Sequence, residues 1–495
     1  MKQLFSSILV VAMLLSMCSC AQNPTQNMES GGSTPVISEP TEGTTGSTPA
    51  DTTVSDPTAN PTAAPTENPT TVPTSPAEPS ASTEPIVTTE PTVTTEPTVA
   101  TEPDASEEDS NRMYDSNGIE YILYDGCLWV FSLGTCTQKD ITIPSSVNGK
   151  PVIGVDSCAL MDAPIESITL SEGITTIREC AFVDCTSLTT VNLPSTLTRI
   201  ERTAFSNCSI TSIQLPEGLT YIGIFAFAEL QMKTLAIPAS VQTIDKGAFQ
   251  DSALEQITIP GNTTLGKSVF KGCTNLTSVT LQEGITAIPS QAFYKCSSLT
   301  TLNLPSTITQ IGSNAFYGCS SLVIDQLNIT GNVGPDAFDG LRIKNVDIYV
   351  NLYQSTFSTA SIDSVTIHEG VTCIGGYVFF RTYIGSITLP TSLQEVQGSA
   401  FYGSYIEEVV FTSPVSLGHS AFFSSAIKRI TLPAGSTLDM YVFCGCSQLE
   451  TIQYGGTIQE WRDLIQMPIY GYNSADYAEL YKATIICSDG TISPK

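Results

Sequence analysis

Two consecutive stretches, Leu276–Ser298 and Leu299–Ser321, align residue for residue without a gap. They read LTSVTLQEGITAIPSQAFYKCSS and LTTLNLPSTITQIGSNAFYGCSS, and they agree at Leu276/Leu299, Val279/Leu302, Ile285/Ile308, Ile288/Ile311, Ala292/Ala315, Phe293/Phe316 and Cys296/Cys319. A unit of this length cannot bury its own apolar face. A chain built from such units must therefore stack them, each copy covering the next. This constraint excludes most folds open to a 495-residue chain. It also removes the usual link between length and domain count.

The position of Phe293 recurs at Leu160, Phe182, Phe205, Phe227, Phe249, Phe270, Phe316, Phe338, Phe357, Phe379, Phe401, Phe422 and Phe443. The steps are 21–23 residues, apart from one of 19 into Phe357. In each copy a period-two pair such as Ile168/Leu170, Ile257/Ile259 or Ile430/Leu432 reads as a short strand with its apolar face inward and its Thr/Ser/Asn face outward. A second pair, such as Ile174/Ile177, begins the return path, and the Ala-Phe dipeptide plugs the far side. The expected fold is a β-rich repeat solenoid of about 14 coils, with one short strand ladder plus return strands and turns, capped at both ends. The stretch Val323–Phe357 is the expected irregular coil.

The flanks divide the rest. Residues 1–22 carry Lys2, a short apolar run and then Cys18-Ser19-Cys20, which reads as a signal peptide too short to span a bilayer. A cysteine directly after the apolar run resembles the lipobox of bacterial lipoproteins, so Cys20, with Cys18 as the alternative, is the expected lipid anchor. Residues 23–110 hold fifteen acidic residues, no Lys or Arg and no aromatic residue, in runs such as TTEPTVTTEPTVATEP. That composition predicts a disordered, extended Thr/Pro/Glu-rich stalk. Residues 111–143 read as a β-hairpin cap turning at Asp125-Gly126, residues 144–454 as the solenoid, and residues 455–495 as a C-terminal cap. In that last cap, Thr457 and Glu460 form a capping-box pattern ahead of a helix whose Trp461, Leu464 and Ile465 share one face.

The net charge of −28 argues against nucleic acid as a partner, because phosphate recognition needs clustered Lys and Arg. Of the 15 cysteines, Cys185, Cys208, Cys273, Cys296, Cys319 and Cys446 each follow the repeat Phe or its equivalent by three residues. They are expected to form a column of buried free thiols. Cys127 and Cys136 flank the hairpin and either bridge or stay reduced, according to redox conditions outside the cell.

The pattern L-x-x-[IVL]-x-L-P-x-x-[ILV]-x-x-I-x-x-x-A-F-x-x-C-x-x, carried over residues 141–454, resembles the BspA-type bacterial leucine-rich repeats. The resemblance implies a surface or secreted protein of host-associated bacteria. It further implies adhesion to extracellular-matrix or mucosal proteins and glycans, or to other bacterial surfaces. It offers no catalytic motif to carry over. The corresponding expectation is a monomeric, lipid-anchored surface protein without cofactor, metal or catalytic residues. Alternatives are a structural envelope spacer without a specific ligand and, less favoured, a secreted enzyme or inhibitor.

Tests for chemistry find little. The two histidines, His368 and His419, sit at ordinary repeat positions, and no P-loop, HExxH or EF-hand pattern occurs. One bias points to binding. The residue after the repeat Phe becomes aromatic at Tyr294, Tyr317, Phe380, Tyr402 and Phe423, and Tyr377 lies close by. If that position faces outward, these six residues form a stripe suited to protein or glycan contact. The alternative is that each packs along its neighbour.

Overall fold

A computed structural model of the chain describes residues 111–466 and 478–494. The leader with Cys18 and Cys20, and the stalk at 23–110, lie outside the described residues.

The chain forms a β-solenoid of about 15 turns. The turn beyond the fourteen phenylalanine-position coils comes from Thr451–Tyr454, which follows Phe443. Two parallel ladders run along it. The first is made of the apolar-alternating strands, beginning at Asp140–Ile143, Ser167–Leu170 and Thr190–Asn192. Its register keeps like residues side by side, as in Ile257↔Val279↔Leu302. The second ladder is made of two-residue strands such as Thr176–Ile177 and Arg199–Ile200. One face of each strand is buried, so Ser278–Leu281 alternates between exposed Thr280 and fully covered Val279 and Leu281.

The third side of each coil has no strand and is built from consecutive turns around the repeat Phe. The residues two before and two after it adopt left-handed backbone, as at Gln291 (φ 59°) and Lys295 (φ 60°). For non-glycine residues that conformation is disfavoured and persists only when its surroundings fix it. Here backbone bonds to the next coil fix it: Gln291, Phe293 and Lys295 donate to the carbonyls of Ser313, Ala315 and Tyr317 at 3.0, 2.9 and 2.7 Å. The thirteen phenylalanines from Phe182 to Phe443 stack in one column, with centroids 4.9–6.0 Å apart.

The cysteine column beside it is buried and free, as expected. Each thiol donates to the carbonyl of the preceding coil's phenylalanine position: Cys208 to Phe182, Cys296 to Phe270 and Cys319 to Phe293, at 3.0–3.1 Å. Burial pushes the Cys273 thiol up to about 11 and the Cys319 thiol up to about 12, which keeps them protonated donors. Thr382 takes the same role with its hydroxyl, 2.7 Å from the Phe357 carbonyl.

The irregular stretch is longer than expected. Val323–Ile329, Arg342–Ile348, Ser361–Ile367 and Tyr383–Thr388 are strands of six or seven residues in a sheet of their own. After Phe338, Phe357 and Phe379 the chain enters its strand four residues later, without the Cys-x-x-Leu turn that follows Phe293. The first ladder is segmented into four sheets, one break falling in the regular coils between Ser212–Ile213 and Thr234–Ala236. Tyr383–Thr388 and Glu408–Val410 belong to separate sheets, joined only by a bridge between Tyr383 and Tyr405.

Both ends are closed. At the N-terminus, Glu120–Tyr124 and Cys127–Ser132 form a hairpin around Asp125-Gly126, both left-handed, and Arg112–Tyr114 adds a third antiparallel strand. Cys127–Ser132 pairs in parallel with Lys150–Val155 and so covers the open edge of the second ladder. Trp129 is buried against Gly154, where an added Cβ would meet the indole at 2.2 Å, and the Arg178 guanidinium lies 3.6 Å from its ring centre. Of the two alternatives for Cys127 and Cys136, the structure has the reduced one: both are free thiols. Cys127 opens a six-residue strand and Cys136 lies beyond its far end. At about 3.3 Å per residue that strand carries the chain roughly 17 Å from Cys127 before the turn that leads to Cys136.

At the C-terminus, the capping box forms as read. Glu460 N–H donates to Thr457 Oγ1 at 3.2 Å, and Thr457 N–H donates back to Glu460 Oε2 at 2.7 Å. The helix Ile458–Gln466 places Trp461 over the last coil, its ring 5.5 Å from that of Tyr454. Thr484–Cys487 then adds a parallel strand to Thr451–Tyr454, and Gly490–Ile492 finishes the sheet.

Candidate binding face

The six aromatic residues do not form one stripe. Tyr294 and Tyr317 stack on each other at 5.1 Å, and Phe380, Tyr402 and Phe423 form a second stack at 5.4 and 5.0 Å. Between the two stacks the equivalent positions are Asp339 and Ser358. Tyr377 is half exposed and tilts onto Phe380 at 5.9 Å. Within each stack, ring faces are turned toward neighbouring coils, and Lys295 and Arg381 lie over the rings of Tyr294 and Phe380 at 5.4 and 5.1 Å. The packing alternative therefore accounts for most of this surface, leaving ring edges outward.

Another set of tyrosines is more exposed. Tyr349, Tyr353, Tyr377, Tyr383 and Tyr405 are each 46–59 % accessible. Tyr349 stacks on His368 at 4.0 Å. Tyr383 and Tyr405 have no ring partner among the described residues, although they occupy neighbouring coils in register. They border a groove of about 690 Å³ over a seam in the first ladder, whose walls include Glu407, Glu408, Arg429 and Gln448. Glu408 pairs with Arg429 at 3.1 Å, and Glu407 with Lys428 at 2.7 Å. Sequence reading did not single out this groove. The available signal was that Tyr383 and Tyr405 both follow the repeat Phe by four residues.

The regular coils offer less. Several of their outward Thr and Asn side chains bond to adjacent coils: Asn192 Nδ2 to Thr169 Oγ1 at 3.0 Å, Thr300 Oγ1 to the Thr277 carbonyl at 3.2 Å, and Asn303 Nδ2 to the Leu281 carbonyl at 2.8 Å. The loop carboxylates are brackets of the same kind. Glu369 accepts from Thr391 N–H at 2.8 Å and Ser392 N–H at 3.1 Å, and Glu172 accepts from Ser195 N–H at 2.9 Å. The Thr391 N–H holds the Glu369 carboxyl below its ordinary value, and the Ser195 N–H does the same for Glu172. A carboxyl whose folded pKa is depressed stabilises the fold above its ordinary pKa and loses that contribution as pH falls through the folded value. Acid melting should therefore show a loss of stability below the usual carboxylate range. A Glu172→Gln/Glu369→Gln variant, compared with the unmodified chain from neutral to acid pH, should lose less on acidification.

Neither histidine forms a catalytic arrangement. His368 Nε2 lies 2.7 Å from Asp347 Oδ1 beneath Tyr349, a structural clamp between coils. His419 Nδ1 is 3.0 Å from Ser420 Oγ, but Ser420 is buried and out of a substrate's reach. Among the described residues no cluster of three or more His, Cys, Asp or Glu is arranged to hold a metal ion. Among the described residues, the Cys180 thiol is half-buried and 3.1 Å from Thr203 Oγ1, and the neighbouring Cys158 thiol holds it below its ordinary value.

Comparison with known proteins agrees with this geometry. Over three-quarters of the chain, the fold matches a leucine-rich repeat protein from Bacteroides ovatus with a TM-score of 0.59 and 20% identity, covering 99% of that protein. A leucine-rich cell surface protein from Faecalibacterium prausnitzii is 22% identical over 71% of this chain and 97% of its own, with a TM-score of 0.35. The pneumococcal vaccine antigen PcpA is 16% identical over 78% of this chain and 98% of its own, with a TM-score of 0.33. No curated protein sequence matches. No helix among the described residues is long and apolar enough to cross a membrane. The profile of the BspA type leucine rich repeat region matches in six copies over residues 154–273, 254–356 and 350–465. With well over half its length matched and the coil geometry in agreement, the chain belongs to the BspA-type leucine-rich repeat family.

Proposed function

We propose that this chain is a non-enzymatic binding protein of a bacterial cell surface, holding its solenoid away from the membrane to adhere to host or microbial macromolecules. The observation that supports it best is the run of exposed tyrosines from Tyr349 to Tyr405, set on coils that are hydrogen-bonded to their neighbours throughout. Large aromatic side chains left in water on a rigid frame suit recognition, because little conformational entropy is lost when they are covered. The partners are extracellular-matrix or mucosal proteins and glycans, or other bacterial surfaces. The anchor is a lipid on Cys20, with Cys18 as the alternative, and residues 23–110 are the stalk.

Two experiments test this reading. The chain should bind saturably to at least one member of a panel of immobilised matrix proteins, mucin and bacterial cells. Silence across the panel would favour a structural spacer without a ligand. For the anchor, labelling with a radioactive fatty acid in bacteria should be lost on Cys20→Ser and kept on Cys18→Ser. The reverse pattern would move the anchor to Cys18.

A further inference from the structure

Building on the binding reading above, we propose that the groove at Tyr383 and Tyr405 is a site for neutral carbohydrate chains. Four features of the groove agree on that class of ligand. The two tyrosines stand in register on adjacent coils with both rings unstacked, which offers two neighbouring apolar faces of the kind a sugar ring covers. The groove lies over a seam where Tyr383–Thr388 and Glu408–Val410 share no ladder beyond the bridge at Tyr383 and Tyr405. Its walls carry planar hydrogen-bonding side chains, Glu407, Glu408, Arg429 and Gln448, which can each engage a pair of hydroxyls. Glu407 and Glu408 are already matched by Lys428 and Arg429, so the site carries little uncompensated charge and favours a neutral ligand over an ionic one.

The test is titration of the full chain against immobilised neutral oligosaccharides, namely desialylated and desulfated mucin O-glycans and linear glucans, with deglycosylated mucin as the protein control. Saturable binding to one of the sugars is expected, nearly unchanged by added salt because screening acts on charge pairs. Tyr383→Ala and Tyr405→Ala should each weaken it about tenfold. Both side chains are exposed, so an unchanged melting temperature will show that the variants fold. Sugar binding that survives both substitutions would overturn the assignment of the site. Binding to the deglycosylated control that both substitutions abolish would make the groove a peptide site and overturn the carbohydrate class. If the groove variants and the unmodified chain are equally silent toward sugars while the chain still binds matrix protein, the groove proposal fails and the broader reading stands. Silence toward every probe would remove both.

At the other end of the array we infer that Cys158 and Cys180 form a reversible disulfide site. They occupy the same position of consecutive coils, two residues before Leu160 and Phe182. Cys158 N–H donates to the Glu179 carbonyl and Leu160 N–H to the Ala181 carbonyl, both at 2.9 Å, so the two segments run in register. In-register neighbours about 4.8 Å apart lie within the Cα range of a disulfide. Both residues have φ 56°, which sends their side chains the same way. Cys158 is exposed. With oxidised glutathione as oxidant, the Cys180 thiolate attacks one glutathione sulfur and expels a glutathione thiolate. The Cys158 thiolate then attacks the mixed disulfide and expels the second, so one protein disulfide and two reduced glutathiones result.

Peptide mass mapping of the full chain after this treatment should find a Cys158–Cys180 link, reversed by dithiothreitol. Cys158→Ser should instead retain a glutathione adduct on Cys180. Adducts persisting on both residues of the unmodified chain, or no reaction at either, would overturn the proposal.

Discussion

Replacing Phe293 with alanine is expected to destabilise the solenoid by about 3–5 kcal/mol. The side chain is fully buried and stacked between Phe270 and Phe316, with centroids 5.6 and 5.5 Å away. Its backbone is fixed to the following coil, since its N–H donates to the Ala315 carbonyl and its carbonyl accepts the Cys319 thiol at 3.0 Å, and Ala292 beside it accepts Phe270 N–H from the preceding coil. The neighbouring coils therefore cannot close over the lost volume, and the cavity term adds to the lost transfer energy. Because each coil packs only on its neighbours, the damage weakens a junction rather than the whole chain. Urea unfolding followed by far-ultraviolet circular dichroism should move to lower denaturant and lose cooperativity as the two halves uncouple. Tyr294→Ser, one residue along but half-exposed, should cost about 0.5–1.5 kcal/mol. A loss below about 1 kcal/mol for Phe293→Ala would show that the column is not what holds the coils together.

Trp461→Ala is expected to have a loss of similar size, about 3–5 kcal/mol, but located at one end. Trp461 is 2% exposed and closes the last coil against Tyr454. Its helix is held in place by the capping box and by Ile458 N–H donating to Asp489 Oδ1 at 2.7 Å. Without the indole, the face of the final coil meets water, and a stacked array frays from an uncapped end. Hydrogen exchange should accelerate over Thr451–Tyr454 and Arg429–Leu432 and fade toward Leu276–Leu322. Uniform acceleration along the whole array would instead mean that the solenoid unfolds as one unit and that the cap is not a local seal.

The repeating core was legible because every coil restates it. The Phe column, the inward Ile/Leu pairs and the Cys column each recur at a fixed offset, and stacked neighbours must match. The C-terminal cap was legible from the Thr457/Glu460 pair, whose local geometry is determined by chain spacing alone. What escaped the sequence depends on knowing the path between repeats. Cys127 and Cys136 look close in sequence, yet a straight strand intervenes. Tyr294, Tyr317, Phe380, Tyr402 and Phe423 share an offset, yet the shortened coils set Asp339 and Ser358 between them and turn a stripe into two self-contained stacks. The groove at Tyr383 and Tyr405 arises from a seam between ladders. A seam is a relation between two coils and is not encoded at any single repeat position.

On the proposed reading, recognition belongs to the departures from the repeat and the regular middle holds them in place. The most direct test compares two full-length variants for saturable binding to mucin. One carries Thr258→Ala and Thr280→Ala on the regular outward face, and the other carries Tyr383→Ala and Tyr405→Ala. The expected result is unchanged binding in the first and a loss of about tenfold or more in the second, with both folded. Loss in the first and retention in the second would contradict the account, because it would put the binding surface on the regular coils.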